Sequence, residues 1–149
     1  MNRLKESFVI VSQFILLVFL DVSLRLFGFP KTFGNYVLKY NKHVTARDSY
    51  SEILLENMLH DLILIDRVCS YYPFEAKCLH RSFLGYRLLC KKYKVNVELV
   101  IGVRKFPFYA HAWLKCDGLN INEQEDVTEG LITILSSHEM RYNIESILR

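Results

Sequence analysis

The sequence predicts an α+β domain in which helices come first and a small antiparallel sheet follows. Apolar residues recur at helical spacing through most of the first 93 positions, whereas from Val95 they alternate with polar residues at a period of two. An Asp117-Gly118 pair between two strand-like runs is a typical β-hairpin turn. Helices followed by hairpin-connected strands are the order typical of α+β proteins.

The chain has the size and composition of one compact domain. Its 149 residues are 51% apolar, which is enough to bury a core without disulfide or metal support. We expect a single domain over residues 1–149, with a helical portion at 1–70 and the portion that carries the chemistry at 71–149. The net charge of +3 is dispersed along the chain, so a nucleic-acid partner is not predicted.

The cysteines predict a reduced, cytoplasmic protein. There are four of them, and none forms a CxxC pair. Neither a zinc site nor the disulfide framework of a small secreted domain is therefore expected.

The first helix is predicted over residues 4–27, and its central part is unusually apolar. Residues 8–20 contain only Ser12 and Gln13 as polar side chains. These 13 residues are fewer than the roughly 20 that a membrane-spanning helix needs, and no small-residue cleavage site follows them. We expect a helix buried against the core, with peripheral membrane contact as the alternative.

The remaining elements follow from turn residues and periodicity. Gly28, Pro30 and Gly34 predict a break, followed by a less regular stretch near residues 36–40. Further helices are expected at residues 53–65 and 78–93, and strands at 95–103, 110–115 and 119–122. Residues 127–147 show no clear period and have helical character only near their end.

Cys78 is the first candidate for chemistry. It lies in or near the first turn of a predicted helix, where unpaired N–H groups and the helix dipole stabilise a thiolate. The alternative is a small buried hydrophobic side chain, which is the common role of a free cysteine.

His111 is the candidate base among the five histidines. His80 is nearest to Cys78 in sequence, but two positions along a helix point the two side chains apart. His111 lies mid-strand, on the face opposite Ala112 and Leu114, and we expect it to project toward a helix packed on that face. A structural histidine is the alternative.

The hairpin register restricts which residue orients the imidazole of His111. With a two-residue loop, Cys116 pairs with Leu119 and Asn122 lies on the face of His111. With a three-residue loop, the register moves by one residue and Glu123 lies directly opposite His111. Both side chains can accept a proton from the ring, so both remain candidates.

Three segments together resemble a known family. They are Cys78-Leu79-His80-Arg81-Ser82, Ile101-Gly102-Val103 and Ala110-His111-Ala112-Trp113. In this order and context they resemble the B-type leader peptidases of lasso-peptide biosynthesis, which are similar to papain-like transglutaminases in using a Cys-His-Asp triad. The resemblance implies a papain- or transglutaminase-like core, with the nucleophile helix packed on a small antiparallel sheet. It also implies Cys78 as nucleophile, His111 as base, and no metal or organic cofactor.

The family has an aspartate twelve residues after the histidine, and this chain has Glu123 there. The resemblance therefore implies a Cys78-His111-Glu123 triad in which glutamate replaces aspartate, with Asn122 as the alternative third member.

The function that the resemblance implies is a cysteine protease that removes the leader from a ribosomally made precursor peptide. It implies a stand-alone form that acts with a separate leader-recognition (RRE) protein and with a macrolactam cyclase. Transglutaminase-like acyl transfer and a non-catalytic scaffold subunit are the alternative functions.

Overall fold

The computed structural model describes residues 3–41, 50–74 and 76–140. Helices and strands follow the predicted order, and the predicted α+β class is confirmed. The elements are α1 (Arg3–Phe27), α2 (Phe29–Asn41), α3 (Glu52–Ser70), α4 (Cys78–Leu88) with a π-helical continuation (Leu89–Tyr93), β1 (Val97–Arg104), β2 (Tyr109–Cys116), β3 (Leu119–Asn120), α5 (Glu125–Thr128) and β4 (Ile132–Ser136).

The break after α1 occurs at Gly28 alone. This glycine has a φ of +75°, a conformation that other residues rarely adopt. Pro30 does not interrupt the chain, because it lies in the first turn of α2, where a missing N–H costs no helical hydrogen bond. The predicted irregular stretch is therefore wrong, and α2 is a regular helix.

Helix α1 buries one face only. Gln13, Leu17, Leu20 and Asp21 are buried and recur at helical spacing. The expectation of a buried helix thus holds for one side of α1. Large apolar side chains that are exposed on its other sides are Phe8, Val11, Phe14, Ile15, Val18, Phe19, Val22, Leu26 and Phe27.

The expectation that the apolar stretch of α1 is too short to span a membrane is also wrong. The stretch Glu6–Phe27 forms 22 helical residues that are long and apolar enough, by length and composition only, to cross a membrane. Of the 18-residue apolar window within this stretch, 22% is buried inside the structure. The core helix of a soluble protein passes the same test of length and composition.

The four strands form an antiparallel sheet in the order β3-β2-β1-β4. In the central pair, Gly102 lies opposite His111 and Ile101 opposite Ala112. The sequence did not predict β4, an edge strand that pairs with β1 through an irregular register. Its Ile132 and Ile134 are exposed, so its apolar residues do not mark a buried face.

Helix α4 packs on the sheet face that carries Leu99, Ala112 and Leu114. Gly85 permits this close approach, because a Cβ atom there would lie 2.7 Å from a methyl group of Leu114. Side chains of α1, α2 and α3 complete the same core. The helical portion and the sheet therefore share one hydrophobic interior.

Candidate active site

The first turns of α4 lie along an open edge of β2. Within the described residues, β3 pairs only with Lys115 and Cys116, so the rest of that edge is left for other partners. The Ser82 hydroxyl donates to the carbonyl of Ala112 at 2.9 Å. This bond anchors α4 to the strand four residues after Cys78.

The side chains of His111 and Cys78 contact each other beside this edge of β2. We expected a helix packed on the face of His111, and that expectation is wrong because the body of α4 packs on the opposite face, against Leu114. Only the N-terminal turn of α4 reaches the side of His111. The two side chains nevertheless interact, and a hydrogen bond between them contributes to the pKa of each.

The two side chains line a cleft of about 470 Å³. Its walls come from the end of α3, the start of α4, β2 and the segment after β3. The lining residues are Asp66, Cys69, Ser70, Ala76, Lys77, Cys78, Arg81, Tyr109, His111, Glu123 and Val127.

Glu123 is the residue that contacts the ring of His111, with 2.8 Å between Oε2 and Nε2. The hairpin nevertheless has the two-residue loop, since Cys116 pairs with Leu119. That register was expected to favour Asn122, but β3 ends at Asn120 and the alternation of sides does not continue beyond it. The position of Glu123 thus depends on the path of the chain after β3 and not on the strand register.

Asn122 has a different role. Its side-chain oxygen accepts from the backbone N–H of Leu114 at 2.7 Å, and its amide nitrogen donates to the Ser82 hydroxyl at 3.3 Å. Asn122 therefore closes the open edge of β2 and ties it to α4, and does not contact His111.

The electrostatics of the cleft favour a charged pair. Burial raises the pKa of the Cys78 thiol, but the hydrogen bond with His111, backbone N–H contacts from Ala112 and Leu79, and the imidazolium charge outweigh it and lower the pKa. The hydrogen bond with Cys78 raises the pKa of His111, burial opposes this, and the bond with Glu123 adds to it. The two pKa values therefore move toward each other, which favours thiolate and imidazolium.

Arg81 holds the carboxylate of Glu123. Its guanidinium donates to Glu123 Oε2, the oxygen that also faces His111, and lies 3.6 Å from a carboxylate oxygen of Asp66. Burial alone would raise the pKa of Glu123, but its bond with His111 and the charge of Arg81 keep that pKa below its usual range. Glu123 stays ionised and can stabilise an imidazolium.

His80 serves the helix rather than the thiol. Its Nδ1 accepts from the backbone N–H of Lys77 at 3.2 Å, so its Nε2 carries the proton and faces Asp21 Oδ1 at 3.3 Å. The Tyr72 hydroxyl donates to the other oxygen of Asp21. Both nitrogens of His80 are occupied, which agrees with its predicted unsuitability as the base for Cys78.

Sequence reasoning missed Tyr109. Its hydroxyl lies 3.1 Å from His111 Nδ1, and the two rings stack at 5.7 Å with 14° between their planes. Trp113 stacks on the other side of His111 at 6.2 Å. The three rings occupy alternate positions of one strand, and that spacing was a signal that places Tyr109 beside His111.

Comparison with known proteins agrees with this geometry. The family model described as the transglutaminase-like superfamily matches residues 16–136, which include every strand and the cleft. The chain belongs to the transglutaminase-like superfamily. The family that the three motifs predicted is thereby confirmed at the level of the superfamily.

One curated relative is similar over part of the chain. The microcin J25-processing protein McjB of Escherichia coli is 36% identical over 61 residues, which are 41% of this chain and 29% of that protein. The chain thus matches less than a third of the length of this relative. No solved structure matches the chain.

Among the described residues, no group of three or more histidine, cysteine, aspartate or glutamate side chains is arranged to hold a metal ion.

Proposed function

We propose that this protein is a cysteine peptidase that removes the leader from a ribosomally made precursor peptide during lasso-peptide maturation. The observation that carries the proposal is the cleft in which Cys78, with its lowered pKa, meets His111, whose far nitrogen is held by Glu123. The similarity to a protein named for processing microcin J25 supports a peptide substrate.

The proposed reaction has two steps. The Cys78 thiolate attacks the carbonyl carbon at the junction of leader and core, and the imidazolium of His111 gives its proton to the leaving amine as the C–N bond breaks. A water molecule then attacks the resulting thioester, His111 takes its proton, and Cys78 leaves as a thiolate. Glu123 stabilises the imidazolium in both steps.

Backbone N–H groups at the start of α4 supply the oxyanion site in this mechanism. Cys78 is the first residue of α4, so its side chain lies at the end of the helix where the first-turn N–H groups have no helical partner. The contribution of the Leu79 N–H to the pKa of Cys78 supports a donor next to the sulfur.

The proposal includes two protein partners and a location. A separate leader-recognition protein would deliver the precursor, and a macrolactam cyclase would act on the released core. We place the enzyme in the cytoplasm, where free thiols stay reduced. The exposed apolar side of α1 is the surface that we propose for peripheral membrane contact.

Mass spectrometry of a precursor peptide, incubated with this protein and its recognition partner, tests the peptidase. We expect the wild type to separate leader from core with addition of water, and Cys78→Ala to be inactive. Cys69→Ala is the matched control, because Cys69 lines the same cleft, and we expect it to remain active. Cleavage by Cys78→Ala at the wild-type rate would refute the proposal.

Membership of the transglutaminase-like superfamily favours acyl transfer as the second candidate. Both reactions pass through the same thioester, and they differ in whether water or an amine resolves it. A product that carries the mass of an added amine, formed in preference to the free acid, would establish transfer. A Cys78 thiol inert to alkylation at neutral pH would instead indicate a non-catalytic scaffold.

A further inference from the structure

The nitrogen of His111 that serves Cys78 also faces the hydroxyl of Tyr109. Glu123 occupies Nε2 at 2.8 Å, which leaves Nδ1 for the thiol. The Tyr109 hydroxyl lies 3.1 Å from that same Nδ1. Tyr109 is therefore within hydrogen-bonding reach of the atom that carries the proton in both steps of the reaction.

The protonation of the ring decides what this hydroxyl does. In the neutral ring Nε2 carries the proton toward the carboxylate, so Nδ1 is an acceptor and Tyr109 donates to it. Once Cys78 has given its proton to Nδ1, that nitrogen no longer accepts. The hydroxyl must then donate to another group in the cleft.

Contacts with neighbouring side chains hold Tyr109 in its position. Its ring stacks on His111, and the guanidinium of Arg104 lies over the ring at 5.8 Å from its centre. The side chain lines the cleft and is 37% exposed, so it can meet a molecule that enters there.

We propose that Tyr109 is a further catalytic residue, whose hydroxyl positions the water that hydrolyses the thioester on Cys78. In the thioester state the ring of His111 is neutral, so the entering water replaces the Tyr109 hydroxyl at Nδ1 and accepts the hydrogen bond that this hydroxyl had donated to the ring. The water gives its own proton to Nδ1 as its oxygen attacks the thioester carbon. The attack forms a C–O bond, breaks the C–S bond, and releases a carboxylic acid and the thiolate. The inference rests on the proposed cysteine chemistry, and it deepens that proposal by assigning the residue that serves hydrolysis.

An activated ester tests the inference without the precursor peptide. p-Nitrophenyl acetate acetylates a reactive thiolate and releases p-nitrophenolate, so the initial burst reports acylation and the steady rate reports hydrolysis of the thioester. Tyr109→Phe removes only the hydroxyl. Tyr71→Phe is the matched control, since Tyr71 is 79% exposed and does not line the cleft.

We expect Tyr109→Phe to keep the burst and to lose about tenfold in the steady rate, the equivalent of one hydrogen bond. The acetylated form of Tyr109→Phe should accumulate and should be visible in a mass spectrum of the intact protein. Tyr71→Phe should match the wild type. A steady rate equal to that of the wild type would overturn the inference. Equal losses in burst rate and steady rate would also overturn it, since they would indicate an effect on His111 alone.

The outcomes separate this inference from the proposed function. A wild type that releases no more p-nitrophenolate than Cys78→Ala does would overturn both. A burst with the expected effect of Tyr109→Phe, in an enzyme that cleaves no precursor, would support the role of Tyr109 and refute only the peptide substrate.

Discussion

Two cysteines line the same cleft, and their surroundings give them opposite chemistry. Cys69 lies at the C-terminal end of α3, where the helix dipole disfavours a negative charge, whereas Cys78 begins α4, where the dipole favours it. Burial and then the charge of Asp66 raise the pKa of Cys69 to about 11. Membership of a cleft therefore does not by itself lower the pKa of a thiol; the helix end and the neighbouring histidine do.

The largest expected difference is in alkylation. At pH 7 iodoacetamide should modify Cys78 at least about 100-fold faster than Cys69, because only a thiolate reacts and the pKa of Cys69 keeps it protonated. Peptide mapping after brief exposure measures both rates in one sample. Equal rates would mean that helix polarity does not distinguish the two thiols.

Loss of the carboxylate beside His111 should reduce the difference in alkylation rate between Cys78 and Cys69. In Glu123→Gln the hydrogen-bonded charge that helps to raise the pKa of His111 is gone, so that pKa falls and the pKa of Cys78 rises. We expect the pH midpoint of Cys78 alkylation to move upward and peptide cleavage to fall about 50-fold.

Asn122→Ala is the matched control for this change. Because Asn122 contacts Ser82 and Leu114 and not His111, its loss should leave the alkylation midpoint in place and lower the free energy of unfolding by about 1 kcal/mol. If the alkylation midpoint moved in Asn122→Ala and not in Glu123→Gln, Asn122 and not Glu123 would be the residue that orients His111.

The start of α4 depends on His80 and Asp21, and His80→Ala should lower the free energy of unfolding by about 2 kcal/mol. Chemical denaturation measures this, with His60→Ala, on the exposed side of α3, as a control expected within about 0.5 kcal/mol of the wild type. Equal effects of the two substitutions would show that the buried pair does not hold α4.

The contact between Asp21 and His80 also leads us to expect that the protein loses stability at acidic pH. Burial raises the pKa of Asp21, but bonds from Arg25, Tyr72 and His80 outweigh it and leave the pKa lowered. A carboxyl group with a lowered pKa stabilises the fold above its unfolded pKa, and that contribution is lost as the pH falls through the folded value. Asp21→Asn should flatten the acid side of the stability curve, and an unchanged curve would contradict this.

The smallest expected effect is that of Cys69→Ala. It should change precursor cleavage less than about threefold and lower the free energy of unfolding by about 1 kcal/mol, since it shortens a mostly buried side chain. Loss of activity in a folded Cys69→Ala protein would give both cysteines a part in the reaction.

Periodicity and motifs were sufficient for the order of α1, α3, α4 and the strands β1 to β3, for the superfamily, and for Cys78 and His111 as the residues that meet. These features depend on local preference: a helix start favours a thiolate, and alternation assigns each strand residue to a side. The approach of α4 was not predictable in this way, because the face on which a helix packs depends on the fit of Gly85 against Leu114.

The sequence by itself determined a hairpin turn at Asp117-Gly118. Only the structure decided between a two-residue and a three-residue loop, since Cys116 pairs with Leu119 and both turn residues have a positive φ. Only the tertiary structure decided that Glu123, and not Asn122, reaches His111, and that the Tyr109 hydroxyl faces the other nitrogen. The physical reason is that a strand pattern gives the side of each residue only while the strand continues. Where β3 ends at Asn120, contacts from Arg81, Ser82 and Leu114 direct the chain instead.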